Sequence, residues 1–151
     1  MRTRLDRRYG LLTVAYLLTI YWLSSLPDLG TQESPPLVRL VMNLGHIPLF
    51  AGLAFCVLKS LSPAPMAAWA RYGLAFLACG ACGGLDEWHQ SFVPGRDCSM
   101  GDFLLDLAGI AVMLVLLRLH ELRSEVRHET TVGGWFPTVW PSRIAPTARK
   151  K

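Results

Sequence analysis

The segment from Asp86 to Asp102 concentrates groups able to carry protons, charges or ligands: Asp86, Glu87, His89, Gln90, Arg96, Asp97, Ser99 and Asp102. Asp86 and Gln90 stand four residues apart, as do Asp102 and Asp106. On a helix each such pair shares one face. Upstream, Arg39, Asn43 and His46 fall at i, i+4 and i+7, again one helical face. These residue types support three chemistries. Carboxylates and imidazoles serve as general acids and bases. An arginine fork matches phosphate or carboxylate bidentately. Histidine with carboxylates can ligate a metal ion.

The elements that must position these groups follow from the apolar runs around them. The first runs from Tyr9 to Leu26 without a charge. The second, Leu40 to Leu58, is bounded by Arg39 and Lys59 and has His46 as its only ionisable group apart from Cys56. Each approaches the roughly 20 apolar residues that cross a bilayer. Tyr72 to Leu85 and Phe103 to Leu117 are shorter, and beside two full-length runs they read as spans carrying polar groups at one end. Of the 151 residues 52% are hydrophobic and only 17% charged, which excludes a disordered chain and argues against an ordinary soluble enzyme. The expected fold is all-α, a four-helix transmembrane bundle with helices near 9–27, 38–60, 70–90 and 102–120. A basic N-terminus (1–8) precedes it and a tail (121–151) follows, broken by Gly and Pro after 130.

Net charge is +4, from 15 Lys+Arg and 11 Asp+Glu, and the isoelectric point is near 9.1. A basic chain invites a nucleic-acid partner. Here the basic residues flank the apolar runs instead. With both termini in the cytoplasm, every Lys and Arg except Arg39 and Arg96 falls on the inner side. That is the positive-inside asymmetry of a multi-pass protein of the bacterial inner membrane, and no nucleic acid is called for. The first run is not expected to be cleaved as a signal peptide, because it ends Ser24-Ser25-Leu26-Pro27 without an A-x-A-like site. Trp135, Phe136 and Trp140 in the tail are candidates for contact with the inner lipid interface.

In this topology the hairpin around Arg96 faces outward, and all four helices bring polar groups to the outer half of the bundle. Charges in hydrocarbon cost at least about 2.5–3.5 kcal/mol each on insertion scales, so Asp86, Glu87, Asp102 and Asp106 need partners. Arg96, Arg39, His46, helix caps or a ligand are the candidates. Ser99, with Asp102 three residues on, resembles a capping box for the fourth helix. Gly80, Gly83 and Gly84, with Gly101, Ala108, Gly109 and Ala111, read as small residues that let helices approach closely. Cys79-x-x-Cys82 suggests thiol redox chemistry, but it lies in an apolar, glycine-rich stretch where thiols are unreactive.

The hairpin resembles the signature of the VanZ-like family of bacterial membrane proteins. Asp86-Glu87, Gln90, Phe92-Val93-Pro94-Gly95-Arg96, Ser99, Asp102 and Gly109 carry the resemblance, with Asn43-Leu44-Gly45-His46 upstream. It extends over roughly Tyr9 to Leu119. Asp106 departs from it, standing where the family often has Asn. The resemblance implies a multi-pass helical membrane protein with a shared polar site at Asp86, Glu87, Gln90, Arg96 and Asp102. It also implies a link to resistance against the glycopeptide teicoplanin, but supplies no reaction.

The functional expectation is an outer-leaflet site binding the head group of a membrane lipid, a lipid-linked cell-wall precursor or a glycopeptide-related ligand. Its candidate residues are Asp86, Glu87, Gln90, Arg96, Asp102, Asp106, His46, Arg39, Asn43 and His89. A membrane enzyme using the Asp, Glu and His groups for acid–base chemistry is the alternative, and a structural partner subunit the second. No cofactor is assigned. No metal is assigned either, because no H-E-x-x-H or comparable ligand spacing occurs.

Overall fold

A computed structural model of the chain describes residues 5–27, 35, 37, 40, 43–96 and 98–133, the last six by backbone alone. Four helices are delimited among them, and no strand occurs among the described residues. They are α1 (Arg7–Ser24), α2 (His46–Leu61), α3 (Ala68–Gln90) and α4 (Met100–Gly133). The chain divides into two units, Met1–Leu117 and Arg118–Lys151, and α4 enters both. In the second unit Arg118 reaches Glu121 at 3.4 Å and Glu125 at 3.8 Å. Such solvent-facing pairs add little stability.

Within the first unit, long-range contacts order the helices. The Asp6 N–H donates to the Ser60 carbonyl at 2.9 Å, so α1 begins where α2 ends. The Ser24 hydroxyl donates to Asp86, so α1 and α3 end together. His46 bonds Asp106 at 2.9 Å, which puts the starts of α2 and α4 side by side. The helices therefore alternate in direction. The end of α1, the start of α2, the end of α3 and the start of α4 share one end of the unit.

Each helix contributes a stripe at i, i+4 spacing, the period that lines up one helical face. In α1 the stripe is Tyr16, Ile20, Ser24; in α2 it is His46, Phe50, Ala54, Leu58. In α3 it is Ala75, Cys79, Gly83, continuing to Asp86, Glu87 and Gln90. In α4 it is Asp106, Ile110, Leu114. The apolar members form one core cluster. The polar members terminate the same stripes at the shared end, and so are buried with them. By contrast Leu11, Leu18 and Trp22 on α1, Leu77 on α3, and Leu104, Val115 and Leu116 on α4 are each more than half exposed.

By length and composition, Met100–Arg127 is the one described helix able to cross a membrane, while His46–Leu61 is apolar but shorter. The sequence reading expected four spans. α1 opens with Arg7 and Arg8, and α3 carries Arg71, Asp86 and Glu87, which lowers the apolar content of both.

Two expectations change. The second helix was expected over 38–60 with Arg39, Asn43 and His46 on one face. Instead the helix begins at His46, after a turn at Gly45. Pro48 lacks the N–H that would bond the Leu44 carbonyl, so that rung of the i→i−4 ladder is missing, and the Leu49 N–H on the Gly45 carbonyl at 3.3 Å resumes it. Asn43 lies on the far side of the break and is exposed. Arg39 lies outside the described residues. The fourth helix was expected to end near 120, yet its backbone stays helical to Gly133. The aromatic residues of the expected tail, Trp135, Phe136 and Trp140, lie outside the described residues.

Glycines set the closest approaches. A Cβ on Gly80 would meet Leu107 at 3.3 Å, and one on Gly83 would meet Asp106 Oδ2 at 3.2 Å. A Cβ on Gly109 would overlap the Ile47 carbonyl, which is backbone and cannot swing aside. Gly109→Ala is expected to cost about 1–3 kcal/mol and lower the melting temperature of the detergent-solubilised protein. Gly73→Ala, where a Cβ meets nothing within 4 Å, should be neutral or slightly stabilising.

Candidate functional site

The polar end of the first unit holds two hydrogen-bonded clusters. Residues 86 and 87 adjoin in the chain but point about 100° apart around α3, toward different neighbours. Asp86 belongs to the α1 side. It accepts from the Ser24 hydroxyl and, at 2.8 Å, from Gln90 Nε2, and all three residues are buried. His89 also faces α1, with Nε2 3.0 Å from the Ser25 hydroxyl and its ring 4.8 Å from that of Tyr21.

Glu87 belongs to the side of α2 and α4. Its Oε2 accepts from the Ser99 N–H at 2.7 Å. Ser99 Oγ in turn accepts from the Asp102 N–H at 3.3 Å. The capping box expected from Ser99 and Asp102 is thus split. Ser99 caps the helix start, but the carboxylate answering the Ser99 N–H comes from Glu87 on α3. Asp102 itself is half-buried. Asp106 is fully buried, and its Oδ1 accepts from His46 Nδ1. Pairing His with a carboxylate through Nδ1 fixes the ring orientation and directs Nε2 elsewhere.

Arg96 was one of the candidate partners of these carboxylates. It pairs with none of them: among the described residues no ion pair joins Arg96 to an acid, and its buried Nε has no hydrogen-bond partner. The reason is local. Pro94 and Gly95 occupy the centre of a turn closed by the Arg96 N–H on the Val93 carbonyl at 3.1 Å, with Gly95 at φ +80°. That is type II geometry, which requires positive φ at the Gly position. At the end of this turn Arg96 faces residues of α1 and the start of α2. There Arg96 lines a cavity of about 310 Å³. Leu23, Leu26, Pro27 and Leu49 form much of its apolar wall, and Ser24, His46, Asp86 and Gln90 its polar one.

Of the sequence candidates, the structure brings together His46, Glu87 and Asp106 in one cluster and Asp86 with Gln90 in another. Arg96 and His46 share the cavity wall with the second. Asp102 contributes its backbone, His89 turns aside, and Asn43 is exposed. Ser24 was noted as a polar residue of the first run but not selected for the site. Its position four residues after Ile20 and eight after Tyr16, on the buried stripe, is the signal that marks it.

A sequence model of the VanZ/LLP1 family matches residues 6–121. The chain belongs to the VanZ/LLP1 family. The VanZ/LLP1 match takes in α1, α2, α3, the Arg96 turn and α4 as far as Glu121, and so includes both buried clusters and the cavity. Comparisons with curated proteins and with solved structures find no match.

Ser24 tests the first cluster. Ser24→Ala leaves the buried Asp86 one donor short and should destabilise the protein by about 1–3 kcal/mol, read as a lower melting temperature. Ser25→Ala, which touches only the half-buried His89 and the Tyr21 carbonyl, should cost less.

Proposed function

We propose that this VanZ/LLP1 protein is a multi-pass membrane protein. It binds the anionic head group of a lipid or lipid-linked envelope precursor in the cavity beside Arg96. The observation that carries the reading is the state of Arg96: a guanidinium with a buried, unpartnered Nε on the wall of a mostly apolar cavity. Buried charges are normally paired. Among the described residues the carboxylate that lines the cavity, Asp86, is already engaged by Ser24 and Gln90, which leaves the guanidinium to an anion bound in the cavity. A phosphate or carboxylate fits the guanidinium fork, and the apolar wall suits the attached hydrocarbon.

Several features support four spans with the Arg96 turn outside. Large apolar side chains are exposed around α1, α3 and α4, as lipid contact requires. Arg7, Arg8, Lys59 and Arg71 gather at the end of the first unit opposite Arg96, the distribution of an inner face. Bundle partners relieve the polarity of α1 and α3, because their charged groups lie at the ends or face the interior. On this reading, any effect on glycopeptide susceptibility runs through the bound head group.

A second reading has one observation in its favour. His46, oriented by Asp106 and forming part of the cavity wall, is placed to move a proton on the same head group.

Native mass spectrometry of protein released gently from membranes tests the binding. Wild type is expected to carry a lipid or precursor adduct, and Arg96→Ala to lose it by at least about tenfold. An adduct of equal intensity on both refutes the placement. Cys98 tests the topology, being exposed while Cys56 and Cys79 are buried. A membrane-impermeant maleimide should label Cys98 in intact spheroplasts, and Cys98→Ser should abolish the signal. Labelling only after permeabilisation would reverse the orientation.

A further inference from the structure

The geometry points to a divalent-metal site formed by His46, Glu87 and Asp106. The three residues come from three helices: the first residue of α2, the last turn of α3 and the second turn of α4. Each offers one donor atom, and the three donors lie within 4.8 Å of one another. Two ligands on a tetrahedral ion with bonds near 2.1 Å sit about 3.4 Å apart. Small side-chain rotations therefore close the set without moving a helix.

The second observation is the state of two of the donors. Glu87 is 4% exposed and Asp106 0%. Glu87 Oε1 and Asp106 Oδ2 are buried with no hydrogen-bond partner among the described residues. Asp106 Oδ2 is directed at α3, since it is the atom a Cβ on Gly83 would approach to 3.2 Å. Glu87 lies four residues beyond Gly83 on that face, and its donor atom is within 4.8 Å of that of Asp106. The missing Cβ at Gly83 is what gives the carboxylate this room. Two neighbouring buried carboxylates, each with one oxygen that lacks a donor, are costly. A divalent cation engages both free oxygens, and with a neutral imidazole the site sums to zero charge.

The donor set suits a transition metal of borderline softness, with Zn²⁺ the first candidate. Three protein donors leave at least one position for water or a ligand, as in reactive rather than structural zinc sites. The Ser99 N–H on Glu87 Oε2 orients that ligand from behind. His46 also lines the cavity, which gives the ion a route in. The inference stands apart from the head-group reading, because none of its donors is Arg96.

The test uses the full chain in detergent, stripped with chelator and titrated with Zn²⁺ by calorimetry. The bound ion is then examined by X-ray absorption. The expected result is one Zn²⁺ per chain with a nitrogen and oxygen shell at about 2.0–2.2 Å. Glu87→Gln and Asp106→Asn should each weaken uptake by at least about tenfold. His89→Ala and Arg96→Ala should leave it unchanged, so failure of the head-group reading would not be mistaken for failure here. Asp106→Asn keeps the size of the side chain and an acceptor for His46, and remains decisive if Glu87→Gln does not fold. No saturable uptake by wild type, uptake unaffected by both substitutions, or sulfur in the metal shell would overturn the proposal.

Discussion

The polar end of this protein is organised around one constraint: a fully buried carboxylate, Asp106, must be met by a donor. α4 cannot supply one, because the same face continues into Ile110 and Leu114 and packs in the core. The donor comes instead from His46, the first residue of α2. That requirement brings the start of α2 against α4 and explains why the Gly45 turn and Pro48 matter. They interrupt the hydrogen-bond ladder and let α2 begin with His46 at the contact. Gly109 completes the arrangement one turn below Asp106, where only a hydrogen fits against the Ile47 carbonyl. A backbone contact and a side-chain bond at successive turns leave α2 little freedom to slide.

The other buried carboxylates follow the same logic with different partners. Asp86 is satisfied by a hydroxyl from α1 and an amide from its own helix. Glu87 takes a backbone N–H at the start of α4. Each acidic residue is thus used to tie helix ends together. None is spent on Arg96, whose guanidinium is left to the cavity. The separation is a direct result of helical geometry, since consecutive residues on α3 look toward different neighbours.

Much of this was legible in the residues. The four apolar runs gave the helix count, and the capping residue Ser99 and the Pro94-Gly95 break located the turn. The i, i+4 pairing of Asp86 with Gln90 is realised as a hydrogen bond. The pairing of charges was less legible. Arg96 with the acidic cluster looked natural because charge complementarity can be read along the chain, whereas the direction of a type II turn cannot. Asn43 and His46 also failed to share one helix, because the missing N–H at Pro48 interrupts the hydrogen-bond ladder there. The three-residue cluster with free oxygens has no spacing signature at all, since its members sit on three helices.

By itself, then, the sequence indicated an all-helical chain built on four apolar runs, with polar residues gathered at one end of them. These are local properties, set by side-chain period, capping and the residues that break helices. Only the tertiary structure decided which polar group meets which. Hydrogen bonds act over about 3 Å, and that distance depends on how helices far apart in sequence are rotated and stacked. The small residues at Gly80, Gly83 and Gly109 set that stacking. Gly109 against the Ile47 carbonyl holds α2 on α4 where His46 meets Asp106, while Ser24 meets Asp86 between α1 and α3 and Arg96 lines the cavity beside them.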